Sequence, residues 1–292
     1  MKTVVILPTI PERQEIYNKF IEHWQPLFDK HNVHYLVVED GDNPVLHDKI
    51  NDFTYQPKEV MGDFADVLSN HNAGIRNLGF AYVAKYLKDA EMILTLDDDC
   101  LPINDPIQDH IDALRQSVPV SWMSTMINDY SRGFPYGIRD EAEVVLSHGI
   151  WHKVADWDAP TQLVKGAYRQ VEFYKGIVPK GVLFPVCAMN MAFKPQVLPW
   201  IFQAPWAYGI HRFDDIFAGI TAKKAIDENG WAAVTGYAAI EHDRASNVFT
   251  NLKNEAPGIE LNETYWQGDE SHEYFKLYNE RLKRWQEFLN TI

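Results

Sequence analysis

The first hundred residues alternate short apolar runs with stretches of helical spacing, and this rhythm restricts the fold more than any other feature of the chain. Val4-Val5-Ile6-Leu7 is a continuous apolar run closed by Pro8. Such a run suits a strand buried on both faces, as in the middle of a parallel sheet. Residues 12–28 then place Ile16, Phe20, Ile21, Trp24 and Leu27 along one helical face. A second strand, Tyr35-Leu36-Val37-Val38, ends at Glu39-Asp40-Gly41-Asp42. Residues 65–87 predict another helix, with Val67, Leu68, Ile75, Leu78, Tyr82, Val83 and Leu87 near one face. The third strand, 92–96, runs straight into Asp97-Asp98-Asp99. This β-α-β order predicts an α/β fold with a doubly wound sheet. Ligands of such sheets bind at the carboxyl ends of the strands, where Pro8-Thr9, Glu39-Asp40 and the aspartate triplet all fall.

The second half is less regular. Apolar runs at 144–146, 181–184, 189–193 and 232–234 predict short strands between loops, and 213–226 predicts a helix. Tyr274, Tyr278, Leu282, Trp285 and Leu289 recur at three- and four-residue spacing, so the chain closes on an amphipathic helix at 269–292. No composition break marks a linker. The expectation is one domain over 1–292, with a nucleotide-binding half at about 1–100 and a sugar or acceptor half at about 101–268.

Apolar residues make up 46% and charged residues 23% of the chain, values that exclude a disordered or fibrous protein. The 27 Lys and Arg against 41 Asp and Glu leave a net charge of −14, a field that repels phosphate backbones. A nucleic-acid partner is therefore disfavoured. It is not excluded, because Arg132, Arg139, Lys153, Lys165, Arg169, Lys175 and Lys180 make the middle of the chain locally basic. Only two cysteines occur, Cys100 and Cys187, too few for a disulfide scaffold. With no run long enough to span a bilayer, the expectation is a cytoplasmic protein without a membrane partner.

Three adjacent aspartates cost energy unless a cation neutralises them. Asp97 and Asp99, at i and i+2, point the same way from extended backbone. Carboxylate oxygens are hard ligands for Mg²⁺ or Mn²⁺ bridging a diphosphate, while an acidic turn with Asp99 as a helix cap is the bland alternative. A strand-terminal Asp-x-Asp in a β-α-β chain resembles the metal–diphosphate signature of nucleotide-sugar enzymes with the GT-A fold. Asn72-Ala73-Gly74-Ile75-Arg76-Asn77-Leu78-Gly79 resembles the Arg-Asn-x-Gly segment of family-2-like glycosyltransferases, in which the arginine approaches the diphosphate or base. His242, after a late apolar segment, stands where GT-A enzymes commonly draw a further metal ligand. Asp214-Asp215 opens the helical stretch at 213; one acid serves as an N-cap, or a carboxylate faces a sugar as base or hydroxyl ligand.

Several longer segments resemble the reversibly glycosylated polypeptide family. They are Ser147-His148-Gly149-Ile150-Trp151, the 156–165 stretch from Asp156-Trp157-Asp158 to Lys165, Pro179-Lys180-Gly181 through Met189-Asn190, and Ala245-Ser246-Asn247. The match runs in order from about Met92 to Trp266, with Cys100 directly after the aspartates. The resemblance implies a GT-A fold, a Rossmann-like parallel or mixed sheet flanked by helices. It implies a UDP-sugar such as UDP-arabinose as the small-molecule partner, and Mn²⁺ or Mg²⁺ held by Asp97, Asp99 and His242. It further implies nucleotide-sugar contacts from Pro8, Thr9, Glu39, Asp40, Arg76, Asp97, Asp98, His148 and Asn190. The family's best-known members interconvert the pyranose and furanose forms of UDP-arabinose, and members are named for becoming glycosylated on an arginine. In Ser131-Arg132-Gly133-Phe134-Pro135-Tyr136-Gly137-Ile138-Arg139 the two family arginines correspond to Arg132 and Arg139. With Asp214 and Asp215 they form the expected catalytic set. Transfer of the sugar to a separate acceptor (a glycan, a protein or a hydroxymethylated viral DNA base) is the competing activity, and a homo-oligomer is compatible with either.

Overall fold

A computed structural model describes residues 1–40, 57–69, 71–126, 129–166, 171–242 and 247–292. Gly41-Asp42, Arg169 and Ala245-Ser246 lie outside the described residues. Strand β1 (Thr3–Thr9) leads through a single 3₁₀ turn, Pro11–Arg13, into α1 (Gln14–His31), and β2 (His34–Glu39) follows. Then come α2 (Pro57–Met61), α3 (Arg76–Tyr86), β3 (Met92–Leu96), β4 (Cys100–Pro102), α4 (Pro106–Leu114) and β5 (Ser117–Val118). The second half holds β6 (Ala142–Lys153), α5 (Ala159–Lys165), β7 (Gly176–Val178), β8 (Asn190–Phe193), α6 (Asp214–Glu228), β9 (Ala232–His242), α7 (Val248–Tyr265) and α8 (Glu273–Asn290).

Among the described residues the strands form one sheet in the order β2-β1-β3-β8-β6-β9-β4, with β5 on β6 and β7 on β9. Strands β2, β1 and β3 run parallel, as the sequence predicts. Beyond them β8 inserts antiparallel to both β3 and β6, so the sheet is mixed rather than wholly doubly wound. The GT-A-type expectation, a parallel and mixed sheet flanked by helices, is met.

The period-two alternation of β1 separates the two cores. Val5 and Leu7 face the aromatic ridge of α1, where Phe20, Trp24 and Phe28 stack at 5.6 and 5.7 Å between adjacent rings. Trp24 also donates from its indole to the Cys100 carbonyl at 2.8 Å, fixing α1 against β4. Val4 and Ile6 face the opposite core, which gathers α3, α6 and α8 with Trp285 wholly buried.

Two sequence expectations are corrected. The helix expected over 65–87 is not continuous: 3₁₀ turns at Gly62–Val67 and Ala73–Ile75 precede α3. Asn72 causes the later start, because its side chain accepts from the Gly74 amide at 2.8 Å and competes with helical bonding. The run at 181–184 forms no strand; Val182 and Leu183 are exposed. No helix among the described residues is long and apolar enough to cross a membrane.

Candidate functional site

The carboxyl ends of β1, β2 and β3 lie side by side because the three strands are parallel and in register. Thr9 ends β1 and donates from its hydroxyl to Asp98 Oδ2 at 2.6 Å. Asp40 follows β2; its amide donates to the Thr9 carbonyl at 2.8 Å, and its carboxylate accepts from the Asn72 amide at 3.0 Å. Pro8, Thr9, Glu39, Asp40 and the aspartates are thus brought to one edge, as expected. The bonds to Thr9 and Asn72 also show that two of these side chains shape the edge itself.

The three aspartates occupy three environments. Asp97 lies at the cavity described below and pairs with the Arg76 guanidinium, which is only 2% exposed. Asp98 is turned inward, and burial pushes its carboxyl up to about 7 against the pull of Arg13 and the Thr9 hydrogen bond. Arg13 Nη2 lies 2.8 Å from Asp98 Oδ1, a charge contact without hydrogen-bond geometry, and donates to Asp99 Oδ2 at 2.9 Å. Sequence reading missed Arg13, whose only signal was its place in the loop after β1.

Asp99 Oδ1 faces His242 Nε2 at 3.8 Å, an approach set by the ladder that pairs Cys100 with His242. The other ring nitrogen of His242, Nδ1, lies 3.3 Å from the Val154 carbonyl. That carbonyl can only accept, so Nδ1 carries the hydrogen and Nε2 presents its lone pair towards Asp99. A separation of 3.8 Å is too long for a hydrogen bond; octahedral ligands with bonds of about 2.1 Å sit about 3 Å apart, so the two side chains would close by just under 1 Å to share an ion. A carboxylate and an imidazole fit Mn²⁺ or Mg²⁺ that draws its other ligands from a diphosphate and water. Among the described residues, no cluster of three or more His, Cys, Asp or Glu forms a closed cage.

Beyond Asp97 opens a cavity of about 800 Å³, lined by α3, β6, the 183–189 loop, the start of α6 and one side of α7. Asp214 and Asp215 reach it from the first turn of α6, where the helix amides and dipole favour carboxylates. Asp214 Oδ1 accepts from the Trp206 indole at 3.0 Å. Asp215 Oδ2 accepts from the Ala188 amide at 3.0 Å and Oδ1 from the Ile216 amide at 2.9 Å. Burial, then the adjoining Asp214 and Asp156, push Asp215 up to about 8. Burial also raises Asp214, although Trp206 and the nearby Arg76 and Arg212 pull it down. Both N-cap and cavity-facing readings of this pair were open from sequence; the structure sets both acids in the helix's first turn and in the cavity wall.

Four further predicted residues are engaged with the protein itself or lie away from the cavity. His148 lines the cavity, but its Nε2 accepts from the Cys187 amide at 3.0 Å and its Nδ1 lies 3.1 Å from the Thr235 hydroxyl. With both nitrogens engaged and burial lowering its pKa to about 3, it is a neutral strut. Asn190 has no exposed surface. Its amide donates to the Ile150 and Ala238 carbonyls, its oxygen bonds His110, and it fills the space where a Cβ on Gly149 would clash at 2.0 Å. It joins strands and does not line the cavity. Arg132 is exposed and Arg139 is held between the rings of Tyr130 and Tyr136, at 4.5 and 3.9 Å. Neither arginine reaches the cavity wall.

The family model for reversibly glycosylated polypeptides matches residues 4–268. The chain belongs to that family. Among its relatives, the probable UDP-arabinopyranose mutase 4 of Arabidopsis thaliana is 32% identical over 289 residues, spanning 91% of this chain and 75% of that protein. UDP-arabinopyranose mutase 1 of Oryza sativa subsp. japonica is 32% identical over 290 residues, again spanning 91% and 75%. Among solved structures, S. aureus TarS 1–349 in complex with UDP-GlcNAc aligns with a TM-score of 0.49 at 14% identity, covering all of this chain and 74% of that one. Glucosyl-3-phosphoglycerate synthase from Mycobacterium tuberculosis aligns with a TM-score of 0.48 at 12% identity, covering 87% and 76%. The family match also extends the sequence resemblance into the first ninety residues, where β1 and β2 lie.

Proposed function

We propose that this protein is a UDP-sugar enzyme of the UDP-arabinopyranose mutase kind, interconverting the six- and five-membered ring forms of UDP-arabinose in the cavity beyond Asp97. One observation carries the reading. The strand-end Asp97 adjoins a cavity whose wall holds its partner Arg76, an arginine at 2% exposure, and a carboxyl raised to about 8, Asp215.

Ring contraction needs the anomeric C1–O bond to the diphosphate to break, with the electron pair leaving on UDP. Arg76 stabilises that departing charge from a site where water does not screen it. A divalent ion held by Asp99 and His242, with Asp97 beside it, would take up diphosphate charge as a Lewis acid. The sugar then exchanges its C1–O5 bond for a C1–O4 bond, so one proton must pass from O4 to O5 before UDP reattaches. A carboxyl with a value near 8 both holds and releases a proton close to neutral pH. The amides of Ala188 and Ile216 each take a lone pair of Asp215, one per oxygen. That leaves its proton free to point into the cavity.

Self-glycosylation on Arg132 is the finer part of the proposal. The family motif supports it, and the exposure of Arg132 on its own loop makes the guanidinium accessible to a loaded site, in the same molecule after loop movement or in a second copy. A guanidinium is always protonated at neutral pH, so its role in turnover is secondary to that of Asp215.

The deciding experiment is incubation with UDP-arabinose and Mn²⁺, without acceptor, followed by chromatographic separation of the ring forms. Interconversion is expected. Release of UDP with no furanose product would instead support transfer to a separate acceptor.

A further inference from the structure

Arg212 has backbone torsion φ +62, in the left-handed region that glycine and asparagine favour and a long side chain does not. The surroundings force this conformation. Phe213 lies so close to α7 that a Cβ on Gly258 would meet its ring at 2.3 Å. The carbonyl of Asp214 is bound by the Ala204 amide at 3.0 Å, and that of Phe213 by Phe217 at 3.1 Å. The turn between the 204–212 loop and α6 is therefore fixed from both sides. The local backbone alone would be best served there by glycine. A strained residue that persists is a pointer to function.

The side chain gives that pointer a direction. Arg212 lines the cavity, and its Nε lies 3.3 Å from Oε1 of the buried Glu255 on α7. Glu255 Oε2 is itself held by the Ala159 amide at the start of α5, at 2.7 Å. The guanidinium's Nη groups make no hydrogen bond or ion pair among the described residues. The nucleotide-edge residues Thr9, Asp40, Asp99 and His242 do not line this cavity, whereas Asp214 and Asp215 do.

We infer that Arg212 grips hydroxyl oxygens of the sugar, and that Glu255 is a positioning residue that aims it. This rests on the UDP-sugar reading above and adds a sugar-specific contact to it. The planar guanidinium can offer two parallel donors to neighbouring sugar oxygens, while Asp214 accepts from a sugar hydroxyl and the protonated Asp215 donates to a sugar oxygen.

The test compares wild type with Arg212→Gly, Arg212→Lys and Glu255→Gln. The readouts are melting temperature, Kd for UDP alone and for UDP-arabinose, UDP-xylose and UDP-glucose, and ring-form interconversion. Arg212→Gly relieves the backbone but also removes the ion pair to the buried Glu255, so its melting temperature is judged in the Glu255→Gln background, where it should equal or exceed that of Glu255→Gln alone. The Kd of Arg212→Gly for UDP should stay within twofold, while the tighter binding that the best sugar confers over UDP alone disappears and kcat/KM falls at least 100-fold. Arg212→Lys should recover less than a tenth of the loss. Glu255→Gln still accepts from Ala159, so its melting temperature should hold while KM rises several-fold with kcat little changed. A wild-type protein that binds a UDP-sugar more tightly than UDP but interconverts nothing would remove the mutase reading and leave the Arg212 contact standing. Arg212→Gly that keeps the sugar-dependent binding, or that melts earlier than Glu255→Gln when added to it, would overturn the inference; so would a wild type with no sugar-dependent binding for any of the three.

Discussion

Replacing Asp215 by asparagine should make the protein more stable and inactive. The acid is raised from 3.8 to about 8 by burial and by the neighbouring Asp214 and Asp156. Between those values the unfolded chain has lost this proton and the folded chain still holds it. Unfolding then releases a proton, so stability falls as pH rises through that window and levels off above about 8. At about 1.36 kcal/mol per pH unit, the stretch from pH 6 to pH 8 alone costs wild type roughly 2–3 kcal/mol that an uncharged asparagine does not lose. Against this, the asparagine NH₂ must face the amide of either Ala188 or Ile216, which both donate to Asp215, and forfeiting one such bond costs about 1–3 kcal/mol. The two effects nearly balance at pH 6, and the variant should be the more stable by about 2 kcal/mol at pH 8. Urea unfolding of both proteins at pH 6, 7 and 8 measures the difference directly. Chromatography of UDP-arabinose ring forms should show turnover lost while UDP binding remains. Parallel pH slopes for the two proteins, or an asparagine variant that still interconverts the sugar, would refute the assignment of a proton-bearing carboxyl to this position.

Metal dependence is checked by calorimetry of UDP with and without Mn²⁺: the ion should tighten binding in wild type and not in Asp99→Ala or His242→Ala, and equal affinities throughout would remove the site. Burial lowers His110 to about 4 and His148 to about 3. Their neutral forms contribute stability above about 6.5 that is lost as pH falls towards those values, while the raised Asp98 and Asp215 gain stability over the same range; the histidine part is therefore read by difference, and His148→Gln should lose less stability than wild type, or gain more, between pH 6 and pH 4. Arg139→Ala removes two ring contacts worth about 0.5–1 kcal/mol each; limited proteolysis should cut the Arg132 loop faster while UDP affinity is unchanged. Intact-mass measurement after UDP-sugar treatment should show a pentose or hexose adduct in wild type that Arg132→Ala lacks.

The N-terminal hundred residues were legible because their signals are local. Val4–Leu7, Tyr35–Val38 and 92–96 are strands buried on both faces, and a continuous β-branched run announces itself without neighbours. Their parallel order placed Thr9, Asp40 and the aspartates at one edge before any coordinates. The rest of the chain was not legible in the same way. Strand β9 continues past Ala232–Val234 to His242 as alternating buried and half-buried residues, including Gly236 and Tyr237, which blur the pattern. Helix α7 carries Asn251, Pro257 and Gly258, residues that argue against a helix, yet Asn247 caps it and Gly258 is there because Phe213 leaves no room for a side chain. The partners of the site residues were hidden for a related reason. Arg13 with Asp98, Glu255 with Arg212 and Asn190 with Gly149 meet only through tertiary packing, which spacing along the chain cannot report.

The antiparallel insertion of β8 has a consequence for how this protein is made. The outer edge of β3 finds its partner only at Asn190–Phe193, nearly a hundred residues after β3 itself is synthesised. The core on the α8 side waits longer still, for Trp285. A ribosome therefore releases the β1–β3 segment as an unfinished sheet with bare amide and carbonyl groups along one side. Such an edge invites pairing with another nascent chain, and pairings so distant in sequence form slowly. Fragments ending near residue 100 should collect in inclusion bodies, and the whole chain should depend on holding chaperones in rough proportion to the speed of its translation.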